Sequence, residues 1–297
     1  MQRFISALAL SMALAAPGLA QSYAVTNGRV VTNTDAGIIE NGTVLVRDGS
    51  IVAVGGDVTI PVGTTVIDAD GGWITPGIFA PVTQLGLIEV ALEGSTNDTS
   101  ADESPYSVAL DVADSFNPAG MHIDSNRLGG ITRAALYPGT GWNIFAGQGG
   151  LIDTSGSDTS LFETGSFVVA DLSQSGASTA GGSRSAAWTY LDAAFADARG
   201  YPGRFSGDHQ GDALNRYDAA ALVPVVRGRV PLVMELDRAA DIRRALRFRT
   251  EHAPMQLVIA GGAEAWMVAD ELAAAGVPVL IDPIRNLPSS FDALGST

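Results

Sequence analysis

Between Val230 and Ile281 the chain repeats one unit: an apolar run, a short link, an amphipathic run, another short link. Val230 to Leu236 reads as a strand, Asp237 as the cap of a helix carrying Ile242 and Leu246 on one face, and Gln256 to Ala260 as the next strand. Ala265, Val268, Leu272 and Ala275 then recur at helical spacing up to Gly276, a helix-ending glycine, and Val277 to Ile281 forms a third strand. Neighbouring strands joined through helices run parallel, with right-handed crossovers. The pattern predicts an α/β domain on a parallel sheet. A barrel and an open doubly wound sheet both satisfy it.

Upstream, Ile131 to Tyr137 and Ser166 to Leu172 read as further strands, and Trp188, Leu191, Phe195 and Ala198 mark a helix face that belongs in a core. Before Pro76-Gly77 the signals are of another kind. Val44-Leu45-Val46 and Ile51-Val52-Ala53-Val54 flank Asp48-Gly49, a pair suited to a tight hairpin turn, and glycines punctuate short strands around Val30-Val31 and Val66-Ile67. Residues 21–75 are therefore expected to form a small β-sandwich and residues 76–297 the α/β domain.

Residues 1–20 read as an export signal. Arg3 precedes an apolar run from Phe4 to Ala16, Pro17 breaks it, and Gly18-Leu19-Ala20 supplies small residues for cleavage after Ala20. The expectation is a periplasmic or secreted protein. The chain has no Cys, which rules out disulfides and a cysteine-linked lipid anchor. A net charge of −15, with all 17 basic residues Arg and none Lys, disfavours nucleic acid and anionic membranes as partners. Gly139-Thr140-Gly141 lacks the third glycine of a dinucleotide fingerprint, no Lys serves a phosphate loop, and Gly181-Gly182-Ser183-Arg184-Ser185 is not a nucleophile elbow. Ser183 there reads as a helix cap.

Several segments carry a resemblance in their order and spacing. They are Asn41 to Gly55, Val66-Ile67-Asp68-Ala69 with Trp73-Ile74-Thr75-Pro76-Gly77, Gly130-Ile131-Thr132-Arg133, Pro138-Gly139-Thr140-Gly141 with Gly147-Gln148-Gly149, and Gly262-Ala263-Glu264-Ala265. Together they resemble the metal-dependent amidohydrolase superfamily, in its imidazolonepropionase-like branch, over essentially the whole mature chain. The resemblance implies a (β/α)8 TIM-type barrel with a small composite β-sandwich. It also implies zinc or a similar divalent metal held at the barrel mouth, where it ionises water for attack on a C–N bond.

At the positions the resemblance assigns to metal ligands, this chain has other residues. The first-strand His-x-His pair falls on Val82 and Gln84, the fifth-strand His on Glu235 and the sixth-strand His on Gly261. A carboxylated Lys has no counterpart in a chain without Lys. The eighth strand with its Asp would fall after Thr297, so the barrel is expected to be incomplete here, as in a piece of a longer chain. A catalytic site needs about three protein ligands and an open position, and Val and Gly provide none. His252 is expected on the N-terminal face of the barrel, His209 in the polar loop of residues 206–210 and His122 in an irregular segment. The expectation is an exported amidohydrolase-like protein without a bound metal or catalytic residue, serving as a ligand-binding cavity or as a partner subunit, in a homo- or hetero-oligomer, of an active relative. Trp142, Asn143 and Gln148 are candidates to line that cavity. The alternative is a C–N hydrolase working through unusual ligands such as Glu235 and Gln84.

Overall fold

The computed structural model describes residues 22–90, 92–207, 210–281 and 292; the expected export signal lies outside them. The chain divides between Pro76 and Gly77 into two compact units.

The first unit is a five-stranded sheet. It consists of β1 (Ser22–Val31), β2 (Ile38–Arg47), β3 (Ser50–Gly55), β4 (Thr65–Asp68) and β5 (Trp73–Ile74). The order is β3-β2-β1-β4, with β5 also paired to β1. β2 and β3 are antiparallel and joined through Asp48 and Gly49, whose φ values of 50° and 75° give the left-handed turn that this residue pair accepts. β4 and β5 both run parallel to β1.

The second unit contains β6 (Ile78–Thr83), α1 (Met121–Leu128), β7 (Ile131–Leu136), β8 (Phe145–Asp153), β9 (Leu161–Asp171), α2 (Gln174–Thr179), α3 (Arg184–Gly200), α4 (Arg216–Val226), β10 (Leu232–Leu236), α5 (Ala239–Glu251), β11 (Leu257–Gly261), α6 (Ala269–Ala275) and β12 (Val279–Ile281). Its strands form one sheet in the order β12-β11-β10-β9-β8-β7-β6. Six of the seven share a direction. β8 runs against both β7 and β9, so the expectation of a wholly parallel sheet fails at that point. No helix among the described residues is long and apolar enough to cross a membrane.

Alternation along β9, β10 and β11 sorts side chains between two apolar clusters, while Ala134, Leu136 and Ile152 of β7 and β8 belong to a third with Leu87 and Ile123. On one face Val168, Ala170, Leu172, Leu232, Met234, Leu236, Leu257 and Ile259 pack against the helices, where Trp188, Leu191, Phe195, Ile242 and Phe248 are buried. On the other, Ala135, Tyr137, Phe167, Val169, Val233 and Ala260 pack on one another inside the sheet. Ser183 caps α3 by accepting the Ala186 N–H at 3.2 Å. α6 ends at Gly276 with φ 61°, in the left-handed conformation expected of that glycine.

The cap of α5 differs from the sequence expectation. Arg238, not Asp237, occupies the N-cap, and the Glu264 carboxylate accepts the Ala239 N–H at 2.8 Å from the next loop. Asp237 turns away to accept the Ala263 N–H at 3.2 Å. His122, expected in an irregular stretch, lies on α1.

Candidate functional site

A cavity of about 440 Å³ opens at the carboxyl ends of the parallel strands. Each strand delivers its last residues to it. Pro81 and Val82 come from β6, Tyr137 follows β7, Ser173 follows β9, Glu235 to Asp237 end β10, Ala260 and Gly261 end β11, and Leu280 and Ile281 end β12. β6 and β12 are the two ends of the hydrogen-bonded path, yet both border this one cavity. The sheet is therefore curled as a barrel wall is. Carboxyl strand ends are where parallel barrels place their chemistry, because successive loops converge there.

The same architecture occurs in a solved structure. The amidohydrolase from Thermotoga maritima MSB8 superposes with a TM-score of 0.80 at 21% identity, covering 92% of this chain and 73% of that one. The chain carries the amidohydrolase fold. A sequence relationship points to the same superfamily on its imidazolonepropionase-like side: an imidazolonepropionase from Mesorhizobium japonicum is 36% identical over 90 residues, a stretch covering 25% of this chain and only 22% of that protein. No family model matches the chain.

An amidohydrolase barrel ordinarily holds a divalent metal at this mouth, and the described residues at the positions the resemblance assigns to ligands offer a poor fit to one. Of the four positions that the resemblance assigns to ligands, Val82, Glu235 and Gly261 border the cavity. Val82 offers no donor atom. Gly261 adopts φ 88°, and a Cβ added there would stand 2.7 Å from Oδ1 of Asp237. An imidazole at this position would thus meet a strained backbone and a carboxylate already in its space. Gln84 is not part of the wall; its Nε2 lies 3.7 Å from the point where a Gly139 Cβ would be. Among the described residues, no three His, Asp or Glu side chains converge as a metal site requires.

Beneath the cavity the inward-facing row is apolar and carries carboxylates at its carboxyl end. Phe167, Val169 and Asp171 alternate along β9, and Val233 and Glu235 along β10, where Asp171 and Glu235 are register partners. Each row is apolar below and acidic at its carboxyl end. Asp171 is buried and accepts the Ser173 N–H at 2.8 Å. Tyr137 is 5% exposed, and its hydroxyl has no well-formed hydrogen bond. The Glu235 carboxylate stands beside it as charge and acceptor. Burial first, then Glu235 and Asp171, push the phenol well above its usual pKa, so it remains a neutral hydroxyl. Sequence reasoning took Tyr137 only as a strand end; its signal was the inward parity it shares with Ala135.

The other candidates lie elsewhere. Trp142 and Asn143 border a separate, almost filled cleft beside Tyr106 and Leu110. Asn143 is buried, donates to the Tyr190 hydroxyl at 2.7 Å and accepts the Phe145 N–H at 2.9 Å, a fully structural set of bonds. Gln148 sits on β8 with its N–H bonded to the Leu110 carbonyl at 2.7 Å and is not in the cavity wall. His252 is buried at the end of α5, stacked on Phe248, with its Nδ1 2.8 Å from Arg199 Nη2. His209 lies outside the described residues.

Proposed function

We propose that this chain is an exported protein that keeps the amidohydrolase barrel as a metal-free binding cavity and does not hydrolyse C–N bonds. The supporting observation is the Gly261–Asp237 contact. The sixth-strand position lacks its imidazole, and a neighbouring carboxylate fills the space an imidazole needs. Glu235 stays in the wall as one carboxylate, which cannot by itself ionise water near neutral pH without a metal.

Elemental analysis of the purified full-length protein tests the reading. Substoichiometric zinc, manganese and iron are expected, together with no turnover of N-acyl amino acids, dipeptides or cyclic ureides beside an active amidohydrolase. One tightly held metal per chain, or chelator-sensitive turnover, defeats it. Export belongs to the same proposal and is read by amino-terminal sequencing of the mature protein, expected to begin at Gln21. A role as partner subunit is read from the size of the protein alone and mixed with an active amidohydrolase from the same source.

A further inference from the structure

The first unit contains four Asx-Gly pairs: Asn27-Gly28, Asn41-Gly42, Asp48-Gly49 and Asp70-Gly71. They share one latent reaction, ring closure by attack of the glycine amide nitrogen on the side-chain carbonyl carbon of the residue before it. Glycine favours this because it has no side chain to crowd the nitrogen. All four Asx residues also share a left-handed backbone, with φ of 55°, 50°, 50° and 46° in chain order. What separates them is therefore the surroundings of each glycine.

Three pairs are held. The Gly71 N–H donates to the Asn27 carbonyl at 2.8 Å, which engages its nitrogen. Gly28 and Gly42 are buried and are register partners in the β1–β2 pairing. Ile74 and Ala69 crowd the first, and Val30 stands 2.7 Å from where a Cβ on the second would be. The Asn27 side-chain amide also donates to Asp68 Oδ1 at 3.2 Å. Asp48-Gly49 has none of these restraints. Both residues are exposed, and nothing beyond the chain neighbours lies within 4 Å of a Cβ placed on Gly49. No described hydrogen bond or ion pair engages the Gly49 N–H or the Asp48 carboxylate. Ring closure in a paired strand waits on local opening, whereas this turn is already open.

We infer that Asp48 is a site of spontaneous backbone isomerisation. The Gly49 nitrogen bonds to Cγ of the protonated Asp48 carboxyl and gives up its proton, and the carboxyl hydroxyl leaves as water. The product is a five-membered succinimide. Water then adds to one of its two carbonyl carbons. Breaking the bond between the nitrogen and Cγ restores Asp48. Breaking the bond between the nitrogen and the former backbone carbon leaves isoaspartate, with the chain running through Cβ. One water is released and one consumed, so the mass does not change. The added backbone atom falls in a two-residue turn whose length sets the Arg47–Ser50 pairing, beside the edge strand β3.

Peptide mapping of the full chain tests this, with isoaspartate located by electron-transfer fragmentation. Samples are kept for weeks at pH 6 and 37 °C, one set native and one unfolded in guanidinium chloride. At Asp48 the native and unfolded rates should agree within ~3-fold, while Asn27, Asn41 and Asp70 should convert ~10-fold or more slowly when native, as a required local opening implies. Asp48→Glu keeps the charge but would need a larger ring, so it should abolish the native signal at this position, with a melting curve checking that the fold persists. Protection of native Asp48 as strong as that of the other three pairs overturns the inference. So does native conversion of any of those three at its unfolded rate, or an isoaspartate signal at this turn that survives Asp48→Glu.

Discussion

Alternate residues of β9, β10 and β11 build two surfaces of opposite kind. The helix-facing set, Val168, Ala170, Met234 and Ile259 among them, is buried against aromatic and aliphatic side chains and contains no ionisable group. The inward set starts equally apolar, with Phe167, Val169, Val233 and Ala260, and carries Asp171 at the end of β9 and Glu235 at the cavity. The same backbone thus serves packing on one side and chemistry on the other, separated only by side-chain parity. The lesson is that stability and binding should be separable by substitution here. Helix-face changes should cost stability, and changes at the inward strand ends should cost binding.

The sharpest way to break that contrast is on the helix face. Phe195 is fully buried with its ring centroid 5.0 Å from that of Phe248, in an edge-to-face arrangement. Phe195→Ala should lower unfolding free energy by about 3–5 kcal/mol in denaturant titration. A loss below about 1 kcal/mol would mean the helix layer is not the principal core. Gly176 comes next, because a Cβ there would lie 1.9 Å from the Asp171 carbonyl oxygen, where α2 seats on the end of β9. Gly176→Ala should cost about 3 kcal/mol, read the same way. A neutral result would show that α2 can lift from the strand.

Substitutions at the cavity wall should behave differently. Gly261→His should lower the melting temperature, because of its left-handed φ and the nearby Asp237 carboxylate, without creating a zinc site. Micromolar zinc binding in that variant would show that the slot is open after all. Tyr137→Phe should change stability by less than about 1 kcal/mol, since the hydroxyl it removes makes no well-formed bond. A large loss would place Tyr137 among the structural residues.

The smallest effect expected is a pH dependence on the helix side. Burial, followed by the Arg199 guanidinium, holds the His252 imidazole below its ordinary pKa, partly offset by Asp192 and Glu251. Between that lowered value and about 6.5 the unfolded chain binds more protons than the folded one, so stability falls as pH drops below about 6.5. His252→Asn should flatten this part of the stability profile, measured by denaturation at pH 7.5 and 5.5. An unchanged difference between the two pH values would remove His252 as its source.

How much of this was legible from sequence follows from what each residue does. The β10–β12 region was readable because its apolar residues keep strict strand and helix periods, and Trp188, Leu191, Phe195 and Ala198 are buried on α3 as their spacing implies. β8 was not. Its Gly147, Gly149 and Gly150 look like loop punctuation, but a Cβ on Gly149 would stand 2.1 Å from the Phe167 ring and one on Gly147 2.6 Å from the Leu110 carbonyl. Glycine is there because neighbours fill the space, and sequence does not show neighbours. The cavity was half legible. Val82, Glu235 and Gly261 reached it through resemblance, while Asp237 read equally well as a helix cap, and only the observed Glu264 cap releases it from that role.

The reversed strand has a kinetic corollary. β7, β8 and β9 form an up-down-up meander whose partners, such as Leu151 and Glu163, are near in sequence, whereas β9 meets β10 through pairs as remote as Val168 and Leu232. Closing a short loop costs less entropy than closing a long one. Amides of the meander should therefore gain protection first in pulse-labelled refolding, giving the later parallel strands a template on which to dock.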